Sequence, residues 1–293
     1  MSVDVLQEKI RKTKNPSMVN LCLGVSDLPP YMVEEAGNPA VAYGRFCKEL
    51  LTGLKGIVPA VRVSFSSFTL MGDGGLAALS EVLKLAKESG FYVALDAPEM
   101  LSPRAAAMTA EAVWGAGSAY FCDALVISGY LGSDVIKAFL PYCKEGKKDL
   151  FVIARTANKS APELQDLLAG SRLVHAAAAD HVNRYGSDTA GKSGYTRVGI
   201  VAGASAAESV RALRSKYPKL FILVEGFDYP NANAKNCSHA FDKFGHGAVV
   251  CGDTAIPCAW QQAEGTDGHD FLEHALAAAE RMKKNLTRYT TIL

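Results

Sequence analysis

The chain has 293 residues, 49% of them hydrophobic, enough to bury one large core. Its 31 Lys and Arg against 30 Asp and Glu leave a net charge of +1, which offers no basic field to nucleic acid or to a membrane and makes a small molecule the expected partner. Seven cysteines stand singly with no CxxC pair, which argues against a disulfide framework and a structural zinc site and fits a reduced, cytoplasmic setting.

The opening MSVDVLQEKIRKTKNP reads as a short amphipathic helix over 3–14 rather than a signal peptide, and no apolar run approaches the ~20 residues of a membrane span. Short β-branched runs then alternate with longer helical patterns. The predicted strands are MVNLCLGV (18–25), VPAVRVSF (58–65), YVALDA (92–97), DALVISG (123–129), LFVIART (150–156), RVGIVAGA (197–204), LFILVEGF (220–227) and GAVVCGDT (247–254). Between them, segments such as GLAALSEVLKLAKES and AAESVRALRSKY carry apolar residues at helical spacing. Eight βα units predict a (β/α)8 barrel, with a doubly wound sheet as the fallback. No linker divides the chain, so one domain is expected over 1–293, the first helix closing the barrel bottom.

Barrel chemistry is carried at the C-terminal ends of the strands. The candidates there are Cys22, Arg62, Ser64, Asp96, Glu99, Ser128, Arg155, Asn158, Ser205, Glu225, Asp228, Cys251, Asp253 and Thr254. Asp96 can be a reactive carboxylate, the cap of the helix that opens at Ser102-Pro103, or the partner of Arg62. Cys22 and Cys251 can be read as a nucleophile or soft metal pair, but buried cysteines are usually inert small hydrophobes. None of the six histidines has metal-ligand spacing. MGDGG, with Gly72, Gly74 and Gly75, reads as a turn into a helix rather than a phosphate loop.

DALVISGYLGSDVIKAFL, LFVIARTANKSAPELQDLL, RVGIVAGAS and the opening LQEKIRKTKNP together resemble the longer bacterial branch of orotidine 5'-monophosphate decarboxylase over essentially the whole chain. The resemblance implies a (β/α)8 barrel, a homodimer, and loss of carbon dioxide from a pyrimidine nucleotide without a cofactor. It also implies an Asp-x-Lys-x-x-Asp motif after the third strand, whose lysine stabilises and protonates the carbanion and whose second aspartate serves the partner's site. In this chain Asp96 matches the first aspartate, Pro98 stands at the lysine and Leu101 at the second aspartate. Cys22 stands where the resemblance implies a first-strand aspartate, Arg62 where it implies a second-strand lysine, and Thr254 where it implies a phosphate-binding arginine.

Three readings follow. The chain is a degenerate decarboxylase homologue that binds a ligand, or a distinct enzyme built on the acidic strand ends, or a decarboxylase completed by a different, intact subunit. The candidate ligand-binding set is Ser128, Arg155, Asn158, Glu225, Asp228 and Asp253, with phosphate opposed by the last three carboxylates.

Overall fold

The computed structural model describes residues 2–97, 100–145 and 148–293. Eight parallel strands close into a barrel: β1 Ser17–Leu21, β2 Ala60–Ser64, β3 Tyr92–Asp96, β4 Ala124–Ser128, β5 Asp149–Arg155, β6 Thr196–Gly203, β7 Leu220–Glu225 and β8 Ala248–Gly252. Each strand pairs with its sequence neighbour, and β8 returns to β1 with Ser17 opposite Val250 and Val19 opposite Gly252. All eight predicted strands form, most of them a few residues shorter than their apolar runs. The difference matters at β1, which ends at Leu21 instead of running to residue 25, because Val25–Asp27 turn into a short 3-10 helix. A small antiparallel hairpin, Leu168–Ala169 with Arg172–Leu173, lies after β5.

The period-two alternation of the strands sorts their residues into two cores. Outward residues such as Val61, Val93, Leu125 and Val152 pack under the helices. Inward residues, among them Met18, Ala60, Tyr92, Phe151, Phe221, Leu223 and Val249, fill the barrel. Helix α1 (Val3–Thr13) sets Val3, Leu6 and Ile10 into the same inner cluster, covering the N-terminal ends of the strands. Its polar face fits a helix half in solvent, with Glu8 and Lys12 paired at 2.8 Å.

Helix α2 (Pro103–Trp114) follows β3 and begins as its sequence prescribes: Ser102 Oγ accepts from the Ala105 backbone N at 3.1 Å, and Pro103 needs no donor at N1. The MGDGG segment likewise opens a helix, Gly72–Glu88.

Candidate active-site mouth

Along each strand the inward stripe turns from apolar to polar toward the C-terminal end. On β2 it runs Ala60, Arg62, Ser64; on β3 Tyr92, Ala94, Asp96; on β7 Phe221, Leu223, Glu225. Register puts Asn20 opposite Arg62, and Ser64 opposite Asp96.

Arg62 is the centre of this layer. Its side chain is 9% exposed, and its two ends are held by carboxylates from opposite parts of the ring: Nε donates to Asp96 Oδ1 at 2.7 Å and Nη1 to Glu225 Oε2 at 2.9 Å. Burial alone would lower the Arg62 pKa, but the charges of Asp96 and Glu225 outweigh it and hold the guanidinium well above its ordinary range. Asp96 is therefore an ion-pair partner and not the cap of α2, a role taken by Ser102. Above this pair lies a cavity of about 420 Å³ lined in part by Arg62, Asp96, Met100, Leu101, Ser128 and Tyr130. Arg62 is the only basic residue among the described residues of its wall. Pro98 and Glu99 lie outside the described residues; Leu101 lines the cavity and is 80% exposed.

The three carboxylates at the far side do not form one like-charged cluster. Glu225 turns inward to Arg62. Asp253 Oδ1 accepts from Asn20 Nδ2 at 2.8 Å. Partial burial and then the neighbouring Asp253 push the Tyr229 phenol up to about 12. Asp228 accepts from the backbone N–H groups of Asp253 (2.8 Å), Thr254 (2.8 Å) and Ala255 (3.1 Å) and from Thr254 Oγ1 (3.0 Å). Each acid thus has its own partners, and the three remain the acidic side of the mouth that the sequence sets against phosphate.

Arg155 and Asn158 stand apart from the main cavity. Arg155 makes a forked contact with Asp166 (Nε to Oδ1 3.0 Å, Nη2 to Oδ2 2.9 Å), and His175 Nδ1 lies 3.1 Å from the same carboxylate. Arg155, followed by burial and His175, sets the Asp166 charge state: the hydrogen bond from Arg155 is the largest influence and holds its carboxyl below the usual range. The Thr156 backbone N donates to Gln165 Oε1 at 2.7 Å, so the ART and ELQDL segments are two sides of one polar clasp. Asn158, with Arg155, Lys159, Ser205 and Tyr229, lines a second cavity of about 390 Å³.

Two residues read as candidates fall away from the chemistry. Cys22 lies beyond the end of β1 and is exposed, and Cys251 is fully buried with its thiol pushed well above the ordinary range by burial, so they form no pair. The polar residue that β1 does contribute is Asn20, which sequence reading missed; its alternation with Met18 was the available signal. Among the described residues no group of three His, Cys, Asp or Glu could hold a metal ion, and no helix is long and apolar enough to cross a membrane.

Residues 68–239 match the sequence model of the orotidine 5'-phosphate decarboxylase / HUMPS family. Over 293 aligned residues, 96% of this chain and 97% of the relative, the chain is 30% identical to an orotidine 5'-phosphate decarboxylase of Rhodopirellula baltica. It is 26% identical to one of Clostridium perfringens, covering 98% of both chains. The fold is similar to that of Leishmania donovani OMP decarboxylase, with a TM-score of 0.75 at 24% identity, covering 99% of each chain.

Proposed function

Since the chain belongs to the orotidine 5'-phosphate decarboxylase / HUMPS family, we propose that it is a ligand-binding barrel of that family which no longer decarboxylates orotidine 5'-phosphate. One observation carries this reading: the cation at the cavity floor is a guanidinium already neutralised by two carboxylates. Decarboxylation leaves an electron pair on carbon that must be stabilised and then protonated. Arg62, held well above its ordinary pKa, has no proton to give at neutral pH, and Pro98 stands in sequence where the lysine of the resemblance belongs. Loss of a general acid costs ~100 to 10,000-fold in rate. Loss of the electrostatic partner costs a comparable factor again.

The mouth keeps what a binding site needs: a concave space beside fixed polar groups, with Asp96, Ser128 and Arg62 on its wall. A small molecule with a nucleoside-like ring, held without metal or cofactor, is the proposed ligand. The proposed assembly is a homodimer in the cytoplasm. Leu101, which lines the cavity and is exposed at 80%, gives its rim apolar surface for a partner.

The test follows orotidine 5'-phosphate by ultraviolet absorbance with purified chain. The expected result is no consumption above the uncatalysed rate, and saturable turnover would sink the proposal.

A further inference from the structure

In eight-stranded barrels the loops after the seventh and eighth strands frequently hold phosphate, through backbone N–H groups that converge on the anion. Here three successive N–H groups, of Asp253, Thr254 and Ala255, and the Thr254 hydroxyl do converge, and what they converge on is the Asp228 carboxylate. The carboxylate arrives from the β7 loop, and the chain is shaped to deliver it. Gly226 turns at φ +69 directly after β7, where a Cβ would lie 2.4 Å from Ala157 Cβ; Tyr229 N then donates to Gly226 O at 3.1 Å and Phe227 N to Cys251 O at 3.2 Å.

A cavity of about 310 Å³ opens beside Asp228, lined also by Thr254, Gln262 and Arg281. The surroundings are those of an anion receptor with an anion already covalently supplied.

We propose that Asp228 is a specificity determinant: a tethered carboxylate that occupies the anion receptor of β8 and confines the ligands of the mouth to molecules without a phosphate group. An incoming phosphate must displace a carboxylate whose tether keeps its local concentration high, and the displaced group stays close enough to repel it. This inference deepens the reading of the mouth as a ligand site and rests on it.

The experiment titrates inorganic phosphate, uridine 5'-monophosphate and uridine into the full chain and into Asp228→Gly, by calorimetry with phosphorus NMR. The wild type is expected to show no saturable phosphate binding and no preference for the nucleotide over the nucleoside. Asp228→Gly is expected to gain phosphate affinity by about tenfold or more, as charge-assisted donors become free. If the glycine variant does not fold, Asp228→Asn, which keeps the side-chain volume and one acceptor, is expected to show a smaller gain in the same direction. Saturable phosphate binding by the wild type, or no gain in a folded variant, overturns the inference. Because no turnover is read, the two failures are distinguishable: a wild-type chain that binds phosphate saturably but does not consume orotidine 5'-phosphate overturns this inference alone, whereas consumption of orotidine 5'-phosphate, itself a phosphate ester held at the mouth, sinks both.

Discussion

Arg62 Nε lies 2.7 Å from Asp96 Oδ1, so the basic partner of the third strand's carboxylate comes from the neighbouring strand and not from its own loop. The same guanidinium reaches Glu225, and its loss leaves two carboxylates facing across the barrel. Breaking a buried pair by removing one partner costs ~3–5 kcal/mol, with the partial exposure of Asp96 favouring the lower end. Arg62→Leu is expected to lose stability on that scale in urea unfolding. Arg62→Lys is expected to lose less, since the charge is kept, but not nothing, since one ammonium cannot copy the two-ended contact. A loss under about 1 kcal/mol in Arg62→Leu, the range of exposed pairs, would remove this ion pair from the account of the fold.

At the opposite end of the barrel, burial raises the Asp149 pKa to about 7 despite a 2.7 Å hydrogen bond from the Tyr92 hydroxyl. Because the folded value lies above the ordinary 3.8, ionisation works against the fold. The contribution of the protonated form is fully present below pH 3.8 and is lost as pH rises through about 7. Asp149→Asn keeps an acceptor for Tyr92 and cannot ionise. It is expected to be more stable than wild type at pH 8, by at most on the order of 4 kcal/mol, and to flatten stability between pH 5 and 8 measured by thermal unfolding. An unchanged slope in the variant would assign the pH dependence elsewhere.

The clasp after β5 gives a local prediction. Arg155 and His175 are buried and both meet Asp166, which is itself 30% exposed. Asp166→Ala is expected to cost ~1–3 kcal/mol, because the buried Arg155 loses its forked acceptor, while His175 Nδ1 keeps the Gln165 carbonyl at 2.9 Å. Hydrogen exchange should quicken over residues 156–173, the span the clasp closes, while β1 and β2 stay unchanged. Uniform acceleration across the barrel would show that the clasp has no local role.

Arg214 offers a test of a purely structural cation. Its guanidinium donates to the carbonyls of Ala240 (2.6 Å), Gly247 (2.7 Å), Leu220 (2.8 Å) and Pro218 (3.0 Å), and burial lowers its pKa to about 10. Arg214→Met fills the space but orphans those carbonyls at ~1–3 kcal/mol each where they stay dry, so soluble yield and melting temperature should both fall sharply. A variant as stable as wild type would mean that water replaces the guanidinium.

The barrel was legible because its strands are β-branched runs at regular intervals and its helices announce themselves, as Ser102-Pro103 does. The Arg62 and Asp96 pairing was among the open readings, and register settles it over capping: Ser64 stands opposite Asp96, which puts Arg62 on the same inward face two residues earlier. Asn20 was missed because the apolar run continues past Leu21 while the strand does not, which drew attention to Cys22. The partners of Asp228 were invisible for a different reason. They are mostly backbone N–H groups, which every residue but proline owns, so no spelling of residues 253–255 could announce them.

The bond between Asn20 and Asp253 spans 233 residues and crosses the seam where β1 meets β8. During synthesis its two halves lie at opposite ends of the timetable: β1 leaves the ribosome with one neighbour missing until nearly the whole chain has followed. The mouth therefore cannot be assembled in instalments. A nascent chain stalled before residue 248 has Arg62, Asp96 and Glu225 in hand but no seam to hold the ring shut, so ligand competence should arrive in one step, with the last strand.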